Sequence, residues 1–194
     1  HRVITITDKV TAGEPFFVEL EHHQPAKINL EQWRSIEKEV LKVLRTLKIE
    51  NGASHTEVFI THDNFVSVIE SAGRMGGDWI GSHMVEASTG FDYLKATLKI
   101  ALGEFDLSEC DGVANYSYAG VYFITPQPGK IVNIEMNIPK NSIIRDSHML
   151  LRVGDVNDEE LDGSGKRAAI LFYAGDEYSP ITRKSQQLIQ FETK

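Results

Sequence analysis

The order of apolar and polar residues divides the chain into short extended runs and four helical stretches. Val3 to Thr7 (VITIT) is β-branched throughout and predicts a strand, followed by Asp8 and Lys9 as a bend or edge. Thr11 to Pro15 reads as a turn and Phe16 to Leu20 as a second strand. Pro25 keeps the residues just before it out of the helical region, so His22 to Ala26 should be extended, with its adjacent histidines on opposite sides. Asn29 and Gln32 have the spacing of a capping box, and Trp33, Ile36, Val40, Val43, Leu44 and Leu47 then recur at helical intervals until Asn51-Gly52. Asp78 to Ala87 reads as a short helix, and Phe91 to Leu102 as an amphipathic one closed by Gly103.

Past Gly103 the texture becomes strand-like. Ser117 to Thr125 and Lys130 to Met136 flank Pro126-Gln127-Pro128-Gly129 and predict a hairpin. Ile143 to Val153, Ala168 to Ala174 and Leu188 to Glu192 read as further strands, and Ser179 to Gln187 as a closing helix. The acidic, glycine-rich run from Gly154 to Lys166 reads as an exposed loop; its acids lack the alternating spacing of an EF-hand. The pattern is α+β, an antiparallel sheet with helices on one side followed by a small β-rich domain.

The stretch from Gly52 to Gly77 carries the candidate chemistry. Ala53 to Ile60 alternates with period two, so His55, Glu57 and Phe59 share a face. Turn residues at Asp63-Asn64 close a hairpin, and a symmetric turn there sets Glu57 opposite Glu70. Directly opposed acids repel across a ladder, so either solvent screens them or a divalent metal, a buried arginine or a shared proton neutralises them. Arg74 follows Glu70 by four residues, and Gly73, Gly76 and Gly77 leave backbone amides uncovered. Amides beside an arginine and two acids suit a phosphate held through magnesium.

The segments GASHTEV, VIESAGRMGGDWI and ASTGFDYLKATLKIALG resemble the C-terminal lobe of an ATP-grasp carboxylate–amine ligase. Within that superfamily they are most similar to the L-amino-acid ligases that make dipeptides, and more loosely to the carbamoyl-phosphate-synthetase and biotin-carboxylase branch. The resemblance implies a C-terminal ATP-grasp lobe over 1–104 and a β-rich C-terminal domain over 105–194. It implies Glu57 and Glu70 as ligands of Mg²⁺ (or Mn²⁺), Arg74 as the catalytic contact to phosphate and acyl phosphate, and the Gly76 and Gly77 amides as phosphate contacts. His22, just before a Pro-Ala, takes a substrate-side role by the same resemblance, against the alternative of a solvent-exposed histidine pair. Ala72 departs from the pattern: many members carry Asn there, so the metal shell uses one protein ligand fewer.

The expected cofactors are therefore ATP and magnesium, and the partners are a carboxylate, an amine, the upstream lobes of the same protein and a second copy of the chain. A chain of 194 residues opening at His1 without methionine is expected to be the C-terminal piece of a longer ligase, inactive alone. A net charge of −8 disfavours nucleic acid and anionic membrane as main partners. Cys110 is the only cysteine, which excludes an internal disulfide and makes a reducing cytoplasm the default compartment. Two competing readings are a non-catalytic association module built on the same lobe, and a purine-biosynthetic or carbamoyl-phosphate-type ligase.

Overall fold

A computed structural model describes residues 1–140, 142–157, 161–178 and 187–194. The chain divides into two compact units that interleave along the sequence: His1–Ile6 with Pro25–Asn115, and Thr7–Gln24 with Tyr116–Lys194.

The first unit is built on helix α1 (Leu30–Thr46) and the hairpin of β3 (His55–Ile60) and β4 (Val66–Ala72). The expected capping box forms: the Gln32 N–H donates to Asn29 Oδ1 at 2.9 Å, and the Asn29 N–H to Gln32 Oε1 at 3.0 Å. Ile36, Val40 and Leu44 make the buried stripe of α1 and pack on Val58, Ile60 and Val66, the inner face of the hairpin. Leu47 lies at the helix C-cap and stays exposed rather than joining that stripe. A second cluster joins Val85, Phe91, Ala96 and Cys110 around α2 (Val85–Thr89) and α3 (Tyr93–Leu102). The Tyr93 hydroxyl donates to Ser54 O and accepts from Ser54 N–H, both at 3.1 Å, which ties α3 to the foot of β3. Burial pushes this phenol above its ordinary pKa.

Val3 to Thr7 is not a strand. Pairing begins one residue later, with β1 (Asp8–Thr11) against β2 (Glu19–Gln24). Val3, Ile4 and Ile6 instead insert singly into the two apolar clusters of the first unit, so their β-branching serves packing rather than a ladder. The second unit holds a five-stranded antiparallel sheet, order β1-β2-β5-β9-β7, with β5 at Tyr118–Ile124, β7 at Ile144–Met149 and β9 at Ala169–Gly175. A three-stranded sheet, order β10-β6-β8, uses β6 (Gly129–Met136), β8 (Val156–Asn157) and β10 (Ile189–Thr193).

The expected hairpin of the Ser117 and Lys130 strands does not exist. β5 is buried on both faces and already bonded to β2 on one side and β9 on the other, so the prolines carry the chain across to the other sheet. The acidic run contributes β8 at its start, and 158–160 and 179–186 fall outside the described residues, the latter with most of the expected closing helix. The core of the second unit is Tyr122, Ile124, Ala169, Leu171, Tyr173 and Ile189. Among the described residues no helix is long and apolar enough to cross a membrane.

Candidate functional site

Glu57 and Glu70 are direct cross-strand partners, as the turn position predicted. The route to that pairing differs from a symmetric hairpin. Near the turn Ile60 faces Val66 and Val58 faces Val68; then Glu57 faces Glu70, which leaves Ile69 as an extra residue in β4. Continuing the regular register from the turn would set Glu57 against Ile69 and turn Glu70 toward α1. Extending the acid register to the turn would set Ile60 against Ser67 and break the apolar face that α1 covers. The bulge at Ile69 reconciles the two demands, which differ by one residue.

The outer face of the hairpin therefore carries His55, Glu57, Phe59, Ile69, Glu70 and Ala72. Phe59 and Ile69 are 61% and 67% exposed, on either side of the acids. Side chains directly opposite on antiparallel strands have Cβ atoms about 4.5–5.5 Å apart. Two full negative charges roughly 5 Å apart in water-like surroundings repel by about 1 kcal/mol. Among the described residues no lysine or arginine forms an ion pair with Glu70. The Arg74 side chain is exposed, and its Nη1 donates to Met75 O at 2.9 Å rather than to Glu70.

His55 is the residue whose role the sequence left unassigned. Its Nε2 lies 3.6 Å from Glu57 Oε1, just beyond hydrogen-bond length. Its Nδ1 would sit 2.9 Å from a Cβ at position 76, so Gly76 is glycine because the imidazole fills the space a side chain needs. Glu70, Glu57, His55 and Gly76 thus form one contiguous row within the first unit. The Gly77 and Gly76 carbonyls accept from Ile80 N–H at 2.8 Å and Gly81 N–H at 3.4 Å. Among the described residues the Gly76 and Gly77 amides themselves donate to no protein acceptor.

The expected regular helix after Gly77 is instead a π-helical turn (Ile80–Met84) leading into α2, preceded by Asp78 and Trp79 at φ of 50° and 63°. Left-handed backbone at two consecutive non-glycine residues costs on the order of 1–2 kcal/mol each. Trp79 stacks on His83, ring centroids 4.6 Å apart.

His22 belongs to the second unit, on β2, and the two histidines do point to opposite faces. Neither is solvent-exposed: His22 is 2% and His23 0% accessible. The His22 ring meets Phe123 edge-on at 5.6 Å, and the Arg167 guanidinium covers Phe123 at 3.9 Å. On the other face, His23 Nε2 lies 2.6 Å from Glu21 Oε2 and its Nδ1 2.6 Å from the Tyr173 hydroxyl.

Does the row of acids fit a divalent ion? Magnesium is commonly held by one or two carboxylates, with water and phosphate oxygens completing an octahedron. Two opposed carboxylates match that donor set. Among the described residues no group of three or more His, Cys, Asp or Glu is arranged to hold a metal, so His55 stands beside the pair without completing a ligand set, and Ala72, opposite His55, adds no ligand. The residues fit a metal shared with a phosphate rather than one enclosed by protein.

Comparison with known proteins follows the same line. Residues 1–83 match the family model of the ATP-grasp domain. The fold resembles the crystal structure of L-amino acid ligase from Bacillus licheniformis, with TM-score 0.80 and 24% identity over 93% of this chain and 45% of that one. Phosphoribosylglycinamide synthetase from Anaerococcus prevotii gives TM-score 0.81 and 19% identity over 97% of this chain and 49% of that one. The biotin carboxylase domain dimer of Hydrogenobacter thermophilus 2-oxoglutarate carboxylase, solved with MgADP and bicarbonate, gives 0.61 and 19% over 89% and 38%. Among curated protein sequences none matches. The chain thus has the mixed α+β fold of these structures. The match to the ATP-grasp domain model covers 83 of the 194 residues, and the chain spans about half the length of the structures it resembles.

Proposed function

We infer that this chain is the C-terminal part of an ATP-dependent carboxylate–amine ligase, of the amino-acid or dipeptide-forming kind. The observation that carries the reading is the direct opposition of the Glu57 and Glu70 carboxylates on an outer face of the hairpin. Bound there, a magnesium ion would neutralise both acids and draw charge off a transferring phosphoryl group. Glu57 and Glu70 hold and orient that charge. The Arg74 guanidinium, exposed and only locally bonded, reaches for phosphoryl oxygen, and the Gly76 and Gly77 amides donate to the same oxygens. A substrate carboxylate attacks the γ-phosphorus, ADP leaves, and the acyl phosphate is then displaced by the amine with release of phosphate. His22 is assigned a substrate-side role by sequence resemblance alone.

This work needs charge stabilisation more than proton transfer, which agrees with a site rich in carboxylates and amides. A purine-biosynthetic ligase is the second reading, favoured by the similarity to phosphoribosylglycinamide synthetase at TM-score 0.81. The chain alone supports no ATP-dependent ligation in this account, because its relatives are about twice as long.

The test is nucleotide binding to the 194-residue chain, read by anisotropy of a fluorescent ADP with and without Mg²⁺. Wild type should gain affinity with metal, and Glu70→Gln should lose that gain while keeping its fold. Metal-supported binding that survives Glu70→Gln contradicts the assignment.

A further inference from the structure

The row Glu70, Glu57, His55, Gly76 has a consequence beyond placing a metal next to a phosphate. We propose that His55 is a positioning residue that couples metal binding at the Glu57–Glu70 pair to the conformation of the Gly76–Gly77 loop. The inference rests on the metal reading given above.

The geometry is a lever with two contacts. One edge of the imidazole, Nε2, faces Glu57 Oε1 at 3.6 Å, and the other, Nδ1, occupies the space beside the Gly76 Cα. The His55 side chain is 21% exposed, so it has little freedom to swing away from both. With a divalent ion held by Glu57 and Glu70, the carboxylate that Nε2 faces would be repositioned, and the rigid planar ring of His55 would pass that change to Nδ1. On the far side of Gly76, Ile80 closes the space: a Cβ there would lie 3.0 Å from Ile80 Cγ2. The glycine backbone is therefore held between the imidazole and the first residue of the π-helical turn, and it registers small shifts of the ring.

The backbone bonds make the loop a suitable receiver. The carbonyls of Gly76 and Gly77 hold the start of the π-turn, whereas their amides are uncommitted among the described residues. The Gly76 N–H belongs to the planar Met75–Gly76 peptide, whose carbonyl accepts from the Arg74 side chain and not from the π-turn, so it can be re-aimed without breaking a helix bond, whereas the Gly77 N–H moves together with the Gly76 carbonyl. Metal and phosphate would then bind cooperatively through protein as well as through their own attraction.

The experiment is an Mg²⁺ titration of the ¹⁵N-labelled chain without nucleotide. In wild type the His55–Glu57 and Glu70–Ala72 amides and the Gly76 and Gly77 amides should shift together, along one binding curve. His55→Phe keeps a packed ring but removes both nitrogens. It should leave the hairpin shifts in place within about threefold in affinity and reduce the Gly76 and Gly77 shifts to a small fraction. Gly76→Ala approaches from the other end: the new methyl displaces the imidazole, and hairpin affinity for Mg²⁺ should fall about tenfold. These two variants alter different elements, so a folding defect in one leaves the other decisive.

If the hairpin amides of wild type ignore Mg²⁺, the metal reading falls and the coupling with it. If they respond while Gly76 and Gly77 stay silent, or respond equally in His55→Phe, the coupling alone is overturned.

Discussion

Tyr173→Phe isolates a single hydrogen bond in the middle of the second unit. The Tyr173 hydroxyl lies 2.6 Å from His23 Nδ1, and the other ring nitrogen of His23 lies 2.6 Å from Glu21 Oε2. All three residues are essentially inaccessible, and Glu21 Oε1 already lacks a hydrogen-bond partner among the described residues. Removing the hydroxyl keeps the ring and its stack on Tyr122, with centroids 4.9 Å apart, but strands a second buried polar atom in the same network. Leaving a buried donor or acceptor unsatisfied costs about 1–3 kcal/mol, so a loss of about 2 kcal/mol is expected. In a domain of roughly 100 residues, a change of 2 kcal/mol moves Tm by about 8–16 °C.

Two compact units can melt separately, so the cleaner readout is native-state hydrogen exchange of the β5 and β9 amides, which reports the second unit directly. Burial, followed by Tyr178, Glu21 and Asp8, raises the Tyr173 phenol well above its ordinary pKa. Above about pH 10 the unfolded chain loses that proton while the folded one keeps it, so the unfolded state binds fewer protons and stability falls as pH rises. Tyr173→Phe should flatten that alkaline decline while lowering stability at neutral pH. A variant that melts within a degree of wild type, with an unchanged alkaline slope, would refute the reasoning.

Two other substitutions probe what positions these groups. Gly120 lies opposite both His23 and Tyr173, and a Cβ there would meet Tyr173 Cε1 at 2.2 Å and His22 O at 2.4 Å. Gly120→Ala should therefore destabilise the second unit by about 2–4 kcal/mol, on the scale of severe overpacking, measured by the same exchange experiment. Asn29→Ala removes the side chain that caps α1 and should cost about 1 kcal/mol in chemical denaturation followed at α1, without altering Mg²⁺ shifts in the hairpin.

Local signals carried much of this architecture. The capping box, the helical stripe of α1, the glycine closing α3 and the opposition of Glu57 to Glu70 all depend on residues within a few turns or one hairpin of each other, where spacing alone is informative. What failed to show were the choices made at long range. Val3 to Thr7 has strand composition, yet its residues serve as isolated packing contacts, since composition does not say whether a partner strand is at hand. Lys130 to Met136 looked like the return arm of a hairpin because its true partners, β8 and β10, lie further along the chain.

The site divides in the same way. His55 was visible as a face-mate of Glu57, but its contact with Gly76 spans a loop and required coordinates. The buried Glu21–His23–Tyr173 chain joins residues 150 apart and leaves no trace in either segment alone. The left-handed Asp78 and Trp79 replaced a helix start that residue type favoured, and nothing in DWIG announces that conformation.

The central claim is that the two opposed glutamates hold a divalent ion. Paramagnetic Mn²⁺, added well below one equivalent to the ¹⁵N-labelled chain, tests it most directly. Selective broadening of the amides around Glu57 and Glu70, relieved by excess Mg²⁺ and lost in Glu57→Gln, is the result this account predicts. Broadening centred on another acidic patch, with the hairpin amides left sharp, would contradict it.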